Sequence, residues 1–188
     1  MNDTHTQTSK FLSYVLRHEP QSIGLVLDSE GWADIGALIE GARASGRQLD
    51  RALIDAVVAN NDKKRFAVSG DGQRIRAVQG HSTTDVAIAY EARTPPATLY
   101  HGTATRFLAS ILADGLRPGQ RHHVHLSEHM ATAVEVGRRY GEPVILRIDA
   151  GAMHGQGFAF FRADNGVWLT DKVPALFLRQ SSVAEASE

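Results

Sequence analysis

The sequence from Ser9 to Pro20 reads SKFLSYVLRHEP and predicts a short amphipathic helix. Four apolar residues recur at helical spacing and would share one face: Phe11, Leu12, Val15 and Leu16. Thr8 or Ser9 is suited to cap the start of the helix, and Pro20 stops it one turn beyond the last apolar residue. This helix is the element around which we interpret the rest of the chain.

Arg17 and His18 lie side by side at the end of this helix. One interpretation is that they complement the negative end of the helix dipole, as exposed cations often do. The other is an anion site, in which Arg17 supplies a planar fork of donors and His18 a titratable donor. The helix alone leaves both interpretations open.

Composition limits the possible functions. The chain has 188 residues, 43% of them hydrophobic, with a formal net charge of -1, which allows one large domain or two small lobes with real cores. The near-neutral charge argues against general nucleic-acid affinity, so any phosphate contact must come from local arginine clusters. The absence of cysteine excludes disulfides, thiolate catalysis and cysteine-based zinc sites.

The sequence also bears on location. No apolar run is long enough to span a membrane, and Met1–His5 lacks the basic and apolar regions of a signal peptide. We therefore expect a soluble, cytoplasmic protein.

The first half of the chain predicts three helices followed by a β-hairpin. Asp34 can cap a helix that runs to about Ala44, and a third helix starts at Leu49-Asp50. Two alternating runs, 65–68 and 74–78, flank a Gly-Asp-Gly turn, which is typical of a hairpin. Three helices and a hairpin are the outline of a winged helix, although small lobes of this kind also serve other purposes.

The second half predicts many short strands and two short helices, separated from the first half by a polar linker with its boundary near Arg93. The expected strands and helices are 98–103, 107–114, 124–127, 128–140, 144–149, 158–162, 167–170 and 176–178. This mixed order indicates an α+β fold rather than a doubly wound parallel sheet. We expect lobes at 1–93 and 94–180 and a frayed polar tail at 181–188.

Several common site motifs are missing. The chain has no G-x-G-x-x-G opening a helix, no phosphate-binding G-x-x-x-x-G-K-[ST] loop and no G-x-S-x-G nucleophile elbow. A dinucleotide would therefore have to bind by a route other than the Rossmann fold.

The histidines allow two interpretations. His123 and His125 would point the same way on a strand and could ligate a metal, although no third ligand is evident. Alternatively, the region is a polar loop in which His125 lines a pocket.

The strand ending at Tyr100–Thr103 carries a glycine that would let a ligand approach the backbone. Its histidine and threonine suit a planar amide or a ribose hydroxyl.

Cationic side chains recur at two further places. They are Lys63 and Arg65 at the start of the hairpin, and Arg138 and Arg139 on a helix in the second half. Each can be a solvated charge. Together with Arg17 they could form a phosphate cage, because arginine forks bind phosphate bidentately.

Six motifs, in order, closely resemble the KptA family of RNA 2′-phosphotransferases. They are Lys10–His18, Asn61–Phe66, Gln79–Ser82, Leu99–Thr103, Val124–Ser127 and Asn165–Thr170. The resemblance runs from about residue 9 to about residue 179. It implies a winged-helix lobe that binds RNA and phosphate, followed by an NAD-binding lobe of the ADP-ribosyltransferase type.

The resemblance also implies a reaction. The family removes an internal 2′-phosphate from RNA, such as one left at a tRNA splice junction, and transfers it to NAD. The 2′-phosphate attacks C1″ of the nicotinamide ribose, and the 2″-hydroxyl then attacks the phosphorus. The products are 2′-hydroxyl RNA, ADP-ribose 1″,2″-cyclic phosphate and nicotinamide.

Residue roles carry over by position in the matching motifs. The essential set corresponds to Arg17, His18, Arg65 and Arg139, with Lys63 and Arg138 as supporting phosphate ligands. Arg139 is chosen because the stretch 136–141 resembles the family pattern V-G-x-R-H-G. Arg138 remains an alternative, because it is adjacent and because Tyr140 stands where that pattern often has histidine. The NAD-binding set corresponds to His101, Gly102, Thr103 and Ser127. No metal is expected, and we expect a monomer.

Two other functions stay open at this level. One is an ADP-ribosyltransferase that modifies nucleic-acid phosphate or protein without removing phosphate, which an intact set of Arg17, His18 and Arg65 disfavours. The other is a non-catalytic winged-helix binder of nucleic acid, which the near-neutral charge and the His-Gly-Thr strand disfavour.

Overall fold

The computed structural model describes residues 3–181. The chain divides into two compact units, Met1–Ala89 and Tyr90–Glu188, four residues before the expected boundary after Arg93. Ser181 ends the last strand rather than starting a tail, and the rest of the predicted tail, 182–188, lies outside the described residues.

The first unit contains three α-helices, namely α1 (Asp3–Arg17), α2 (Ile35–Ala44) and α3 (Arg51–Ala59). The carboxylate of Asp34 accepts from Ala37 N at 2.7 Å, which confirms the predicted cap, and that of Asp50 accepts from Leu53 N at 2.8 Å and so caps α3 at its predicted start. The expected start of α1 at Thr8 or Ser9 is wrong. No glycine or proline interrupts the polar residues before Ser9, so the helix continues back to Asp3.

A three-stranded antiparallel sheet completes this unit, in the order β1 (Ala33–Asp34), β3 (Arg74–Ala77) and β2 (Phe66–Val68). Phe66 pairs with Ala77 and Val68 with Ile75, which confirms the predicted hairpin, and Phe66 and Ile75 are buried in the core of this unit. Strand β1 has two residues and left no periodic pattern to detect. The unit contains the elements expected of a winged helix, and the winged-helix arrangement itself stays a prediction.

The second unit is also built from short elements. They are β4 (Thr98–Ala104), α4 (Thr105–Asp114), β5 (Val124–Leu126), α5 (Met130–Gly137), β6 (Pro143–Asp149), α6 (Ala150–Gly155), β7 (Phe161–Arg162), β8 (Trp168–Thr170) and β9 (Leu178–Ser181). They form two antiparallel sheets of three strands, ordered β4-β6-β9 and β5-β8-β7. The α+β class is therefore confirmed, and the ADP-ribosyltransferase type stays a prediction.

The last predicted strand, 176–178, is misplaced. Ala175–Phe177 forms a 3₁₀ turn, and β9 begins only at Leu178. Phe177 and Leu178 are both buried. Consecutive strand residues point to opposite faces, so a turn is needed to bring both side chains to the core.

Each unit has its own apolar core. In the first, Leu12, Val15 and Leu16 of α1 are fully buried among residues of α2, α3 and the sheet. In the second, Leu99, Leu146 and Ile148 anchor the larger of two buried clusters. None of the helices within residues 3–181 combines the length and apolarity needed to cross a membrane.

Candidate functional site: an Arg-His pair at a helix end and a histidine-bearing strand

Arg17 is the last residue of α1, and His18 follows it directly. The apolar face of α1 lies in the core of the first unit, and Arg17 at the end of the helix is only 8% exposed. The backbone N–H of His18 still donates to Tyr14 O at 2.9 Å, so the helical turn holds this residue as well. Such burial does not fit a cation that merely complements the helix dipole in solvent.

The predicted motif Gln79–Ser82 packs on this pair. A Cβ atom built on Gly80 would lie 3.6 Å from Cδ, Nε and Cζ of Arg17, so the chain passes directly over the guanidinium. Ser82 N donates to Arg17 O at 2.9 Å, and Ser82 Oγ lies 2.9 Å from His18 Nδ1. One short segment therefore fixes both predicted phosphate ligands.

The same segment connects the pair to Arg65. Val78 N donates to Arg65 O at 3.0 Å, and Gly80 is two residues further, which is about 7 Å of chain at most. The Arg65 guanidinium donates from Nη1 to Asn61 Oδ1 at 3.4 Å. The first unit thus brings Arg65 into the neighbourhood of Arg17.

Asn61 is a part of this site that the sequence interpretation did not single out. It is a buried polar residue, and its Nδ2 donates to Ser9 Oγ of α1 at 3.4 Å. It therefore ties the turn before β2 to the helix that carries Arg17. Its position in the Asn61–Phe66 motif is the sequence signal that could have identified Asn61 as a site residue.

The turn that leads to Arg65 is strained. Lys64 N donates to Asn61 O at 2.8 Å, and Lys64 has φ +41, the one positive φ of a non-glycine residue within residues 3–181. Backbone strain of this kind is retained where surrounding contacts enforce it. Lys63, the predicted supporting cation, lies in the same turn and is exposed.

In the second unit, β4 and β5 are joined beside the predicted NAD-binding residues. Tyr100 and Ser127 exchange backbone hydrogen bonds of 2.8 and 2.9 Å. His101 Nδ1 lies 3.0 Å from His125 O. A carbonyl can only accept, so Nδ1 carries the proton and the neutral ring offers Nε2 as an acceptor.

The environment of His101 favours this neutral form. Burial lowers the pKa of the imidazole, and the positive charge of Arg121 lowers it further, while the hydrogen bond to His125 O acts in the opposite direction. The strand therefore presents an uncharged acceptor, which suits a hydroxyl or an amide N–H.

Gly102 lies where α5 crosses β4. A Cβ atom built there would overlap the carbonyl oxygen of Ala133, and one built on Gly137 would lie 2.7 Å from Thr103 O. The close approach that a glycine permits at Gly102 is made by a helix of the protein itself. The assignment of Gly102 and Thr103 to NAD binding stays a prediction.

Arg138 and Arg139 follow α5 on a 3₁₀ turn, Arg138–Tyr140, and both are exposed. The contact of Gly137 with Thr103 places this turn next to the end of β4. Successive side chains on a 3₁₀ helix, with three residues per turn, point about 120° apart. The two arginines therefore face different directions, and the choice of Arg139 stays a prediction.

Ser127 starts the turn into α5. Its Oγ accepts from His129 N and donates to His129 O, both at 3.1 Å. The next residue, Glu128, accepts from Trp168 Nε1 at 2.7 Å and from Arg162 Nη2 at 3.2 Å. This network, which sequence reasoning missed, connects the Asn165–Thr170 motif to the turn at Ser127.

His123, one of the two histidines considered as metal ligands, packs among aromatic rings. The His123 ring packs edgewise against Tyr90 and Phe161, with centroids 5.9 and 5.7 Å away, and its Nε2 lies 3.8 Å from Asp171 Oδ1. Burial lowers the pKa of His123, partly offset by the Asp171 carboxylate. In the part of the chain that the structure describes, no three His, Cys, Asp or Glu residues are grouped to hold a metal.

The fold and site define an α+β protein that presents a buried arginine next to a half-buried histidine, a pair suited to handling phosphate. Comparison with known families makes this specific. A family model described as RNA 2′-phosphotransferase, Tpt1/KptA family, matches residues 3–172. The chain belongs to the Tpt1/KptA family of RNA 2′-phosphotransferases, as its motifs indicated.

Curated relatives agree over nearly the whole length. A protein of Pseudomonas aeruginosa strain UCBPP-PA14 is 68% identical over 178 residues, 95% of this chain and 98% of the relative. One from Burkholderia lata is 63% identical over 93% of this chain and 90% of its own. One from Escherichia coli O45:K1 is 60% identical over 91% and 88%. Each is named probable RNA 2′-phosphotransferase.

Proposed function

We propose that this protein transfers an internal RNA 2′-phosphate to NAD, which yields 2′-hydroxyl RNA, ADP-ribose 1″,2″-cyclic phosphate and nicotinamide. The observation that supports this best is the buried Arg17, held with His18 under the Gln79–Ser82 segment, in a chain of the phosphotransferase family.

The first step needs positioning more than acid or base catalysis. An oxygen of the 2′-phosphate forms a bond to C1″ of the nicotinamide ribose, and the C1″–N bond breaks with its electron pair leaving on neutral nicotinamide. The nucleophile is already an anion, so no general base is required. Arg17 and Arg65 are suited to hold the phosphate in line for attack.

The second step is phosphoryl transfer, in which the ribose 2″-hydroxyl attacks the phosphorus. The bond from phosphorus to the RNA 2′-oxygen breaks, the 2″-hydroxyl gives up its proton, and the RNA 2′-oxygen gains one. His18 is the group suited to exchange these protons, while the arginine forks stabilise the equatorial oxygens. Arg139, or alternatively Arg138, completes the cationic set.

The second unit supplies groups that fit the NAD ribose and amide. His101 offers Nε2 as an uncharged acceptor because its Nδ1–H is committed to His125 O. A neutral imidazole can accept a hydrogen bond from a ribose hydroxyl. Because it carries no positive charge, it does not attract the phosphate away from the arginines. Thr103 and Ser127 complete the proposed NAD-binding set, with Gly102 shaping the strand.

The test is incubation with NAD and an RNA oligonucleotide that carries one internal 2′-phosphate. Loss of the phosphate with formation of the cyclic phosphate supports the proposal. Stable ADP-ribosylated RNA would instead identify a transferase that stops after the first step, and absence of NAD consumption would overturn both enzymatic interpretations. We further propose that the substrates are tRNA-like splice junctions and that the reaction needs no metal. We also propose that the protein is a monomer located in the cytoplasm.

A further inference from the structure

The side chain of Ser82 makes one contact that the proposed mechanism has not used. Its Oγ lies 2.9 Å from His18 Nδ1, across 64 residues of sequence. Its backbone N–H donates to Arg17 O at 2.9 Å. Ser82 is therefore anchored to the end of α1 by its main chain and meets the imidazole with its side chain.

A contact at Nδ1 decides how the ring is presented. The χ2 angle of histidine has broad, two-fold preferences, so an unrestrained ring samples flipped orientations. A hydrogen bond at Nδ1 selects one orientation and directs Nε2 to the opposite side of the ring. For a group that must exchange protons with substrate, that restraint fixes where the proton is delivered.

The kind of partner matters as much as its position. The Nδ1 atom of His101 faces a carbonyl, that of His125, which can only accept and so holds one neutral tautomer. The Nδ1 atom of His18 faces a hydroxyl, and a hydroxyl that accepts from Nδ1–H likewise leaves Nε2 as the nitrogen that can gain and lose a proton.

We propose that Ser82 is a positioning residue for His18, holding its Nε2 toward the RNA 2′-phosphate in both protonation states through the reaction. The inference rests on the proposed function. When the hydroxyl accepts from Nδ1–H, Nε2 is the nitrogen that gains and loses the proton, and the ring orientation stays the same in both states.

The kinetic test compares Ser82→Ala and Ser82→Thr with the wild-type protein. Ser82→Ala keeps the backbone bond to Arg17 and removes only the hydroxyl, so we expect kcat to fall about three- to tenfold with KM for NAD unchanged. Ser82→Thr restores the hydroxyl and should restore kcat. The matched control is Ser45→Ala, which removes a hydroxyl that donates to Ala42 O at 2.8 Å at the end of α2 and should leave kcat unchanged.

A second measurement does not depend on activity. Long-range ¹H–¹⁵N spectra of the full chain report the proton distribution of each imidazole, and His18→Gln assigns the His18 signals. We expect the His18 ring nitrogens to shift in Ser82→Ala and to return in Ser82→Thr, while those of His101 stay unchanged.

The outcomes separate the two proposals. Unchanged His18 nitrogens in Ser82→Ala, or full kcat in that variant of an active enzyme, would overturn the positioning role. Absence of phosphate removal by the wild-type protein would overturn the proposed function, and the spectra would still decide whether Ser82 controls the His18 ring.

Discussion

Replacing Gly102 with alanine tests the packing that places the predicted NAD-binding strand against α5. An alanine Cβ at this position would overlap Ala133 O and lie 2.7 Å from Ala133 C and 2.9 Å from Gly137 N. All three atoms belong to the backbone, so no side chain can rotate away, and α5 itself must move. Forced overpacking of this kind costs about 2–3 kcal/mol or more.

We therefore expect the melting temperature of Gly102→Ala to fall by about 5–10 °C, using the usual conversion for a chain of this length. Unfolding of the second unit can be followed separately, because Trp32 and Trp168 are the two tryptophans of the chain. Fluorescence of Trp168 in a Trp32→Phe background reports that unit alone. NAD-dependent turnover should also fall, since α5 leads into the Arg138–Tyr140 turn.

The control is Gly155→Ala, at the end of α6. A Cβ atom built on Gly155 meets nothing within 4 Å, and its φ is not positive. Alanine there should stabilise the protein by about 0.4–1 kcal/mol, because it restricts the unfolded chain. The reasoning fails if Gly102→Ala is as stable as the wild-type protein, or if both variants are destabilised equally.

Four further predictions concern the chemistry. Arg17→Ala and His18→Ala should each abolish removal of the 2′-phosphate while circular dichroism shows a folded protein, and full activity in either variant would contradict the phosphate-cage model. Of Arg138→Ala and Arg139→Ala, the second should lower phosphate removal more, measured as kcat on the same oligonucleotide; the reverse order would assign the role to Arg138. Burial lowers the pKa of His101 below its usual 6.5, so the unfolded state binds more protons just below that pH and stability should decline as pH falls through about 6.5. Denaturant unfolding at pH 7.5 and 5.5 should show a smaller decline in His101→Gln, and an equal decline would count against this. Treatment with a chelator should leave activity unchanged. A loss of activity that added metal restores would instead support a metal site at His123 and His125.

Much of the local structure could be predicted from short-range patterns. Asp34 and Asp50 precede apolar periodic runs, and the Gly-Asp-Gly turn lies between two alternating segments; each feature acts over a few residues and each is found in the structure. Features without a local pattern were missed or misplaced. Strand β1 exists because β3 pairs with it, and the start of β9 depends on burying both Phe177 and Leu178.

The candidate site shows the same division. Motif order alone indicated the family, and the family match confirms it. The interpretation of Gly102 as a place for ligand approach, however, depended on what lies beside it, and the structure places Ala133 of α5 there. Contacts between residues far apart in sequence leave no periodic trace, so sequence patterns could not reveal them.

Arg17 and His18 combine features that can be predicted from the sequence with features that depend on tertiary packing. The apolar spacing of α1 and the motif around it were enough to establish a helix that ends in an arginine and a histidine, in a chain of the phosphotransferase family. The burial of Arg17, the passage of Gly80 over the guanidinium and the Ser82 hydroxyl at the imidazole arise from packing between α1 and a segment some sixty residues away. Helix propensity acts within a few turns of chain, whereas the surroundings of a side chain are set by whichever distant segments the hydrophobic core brings against it.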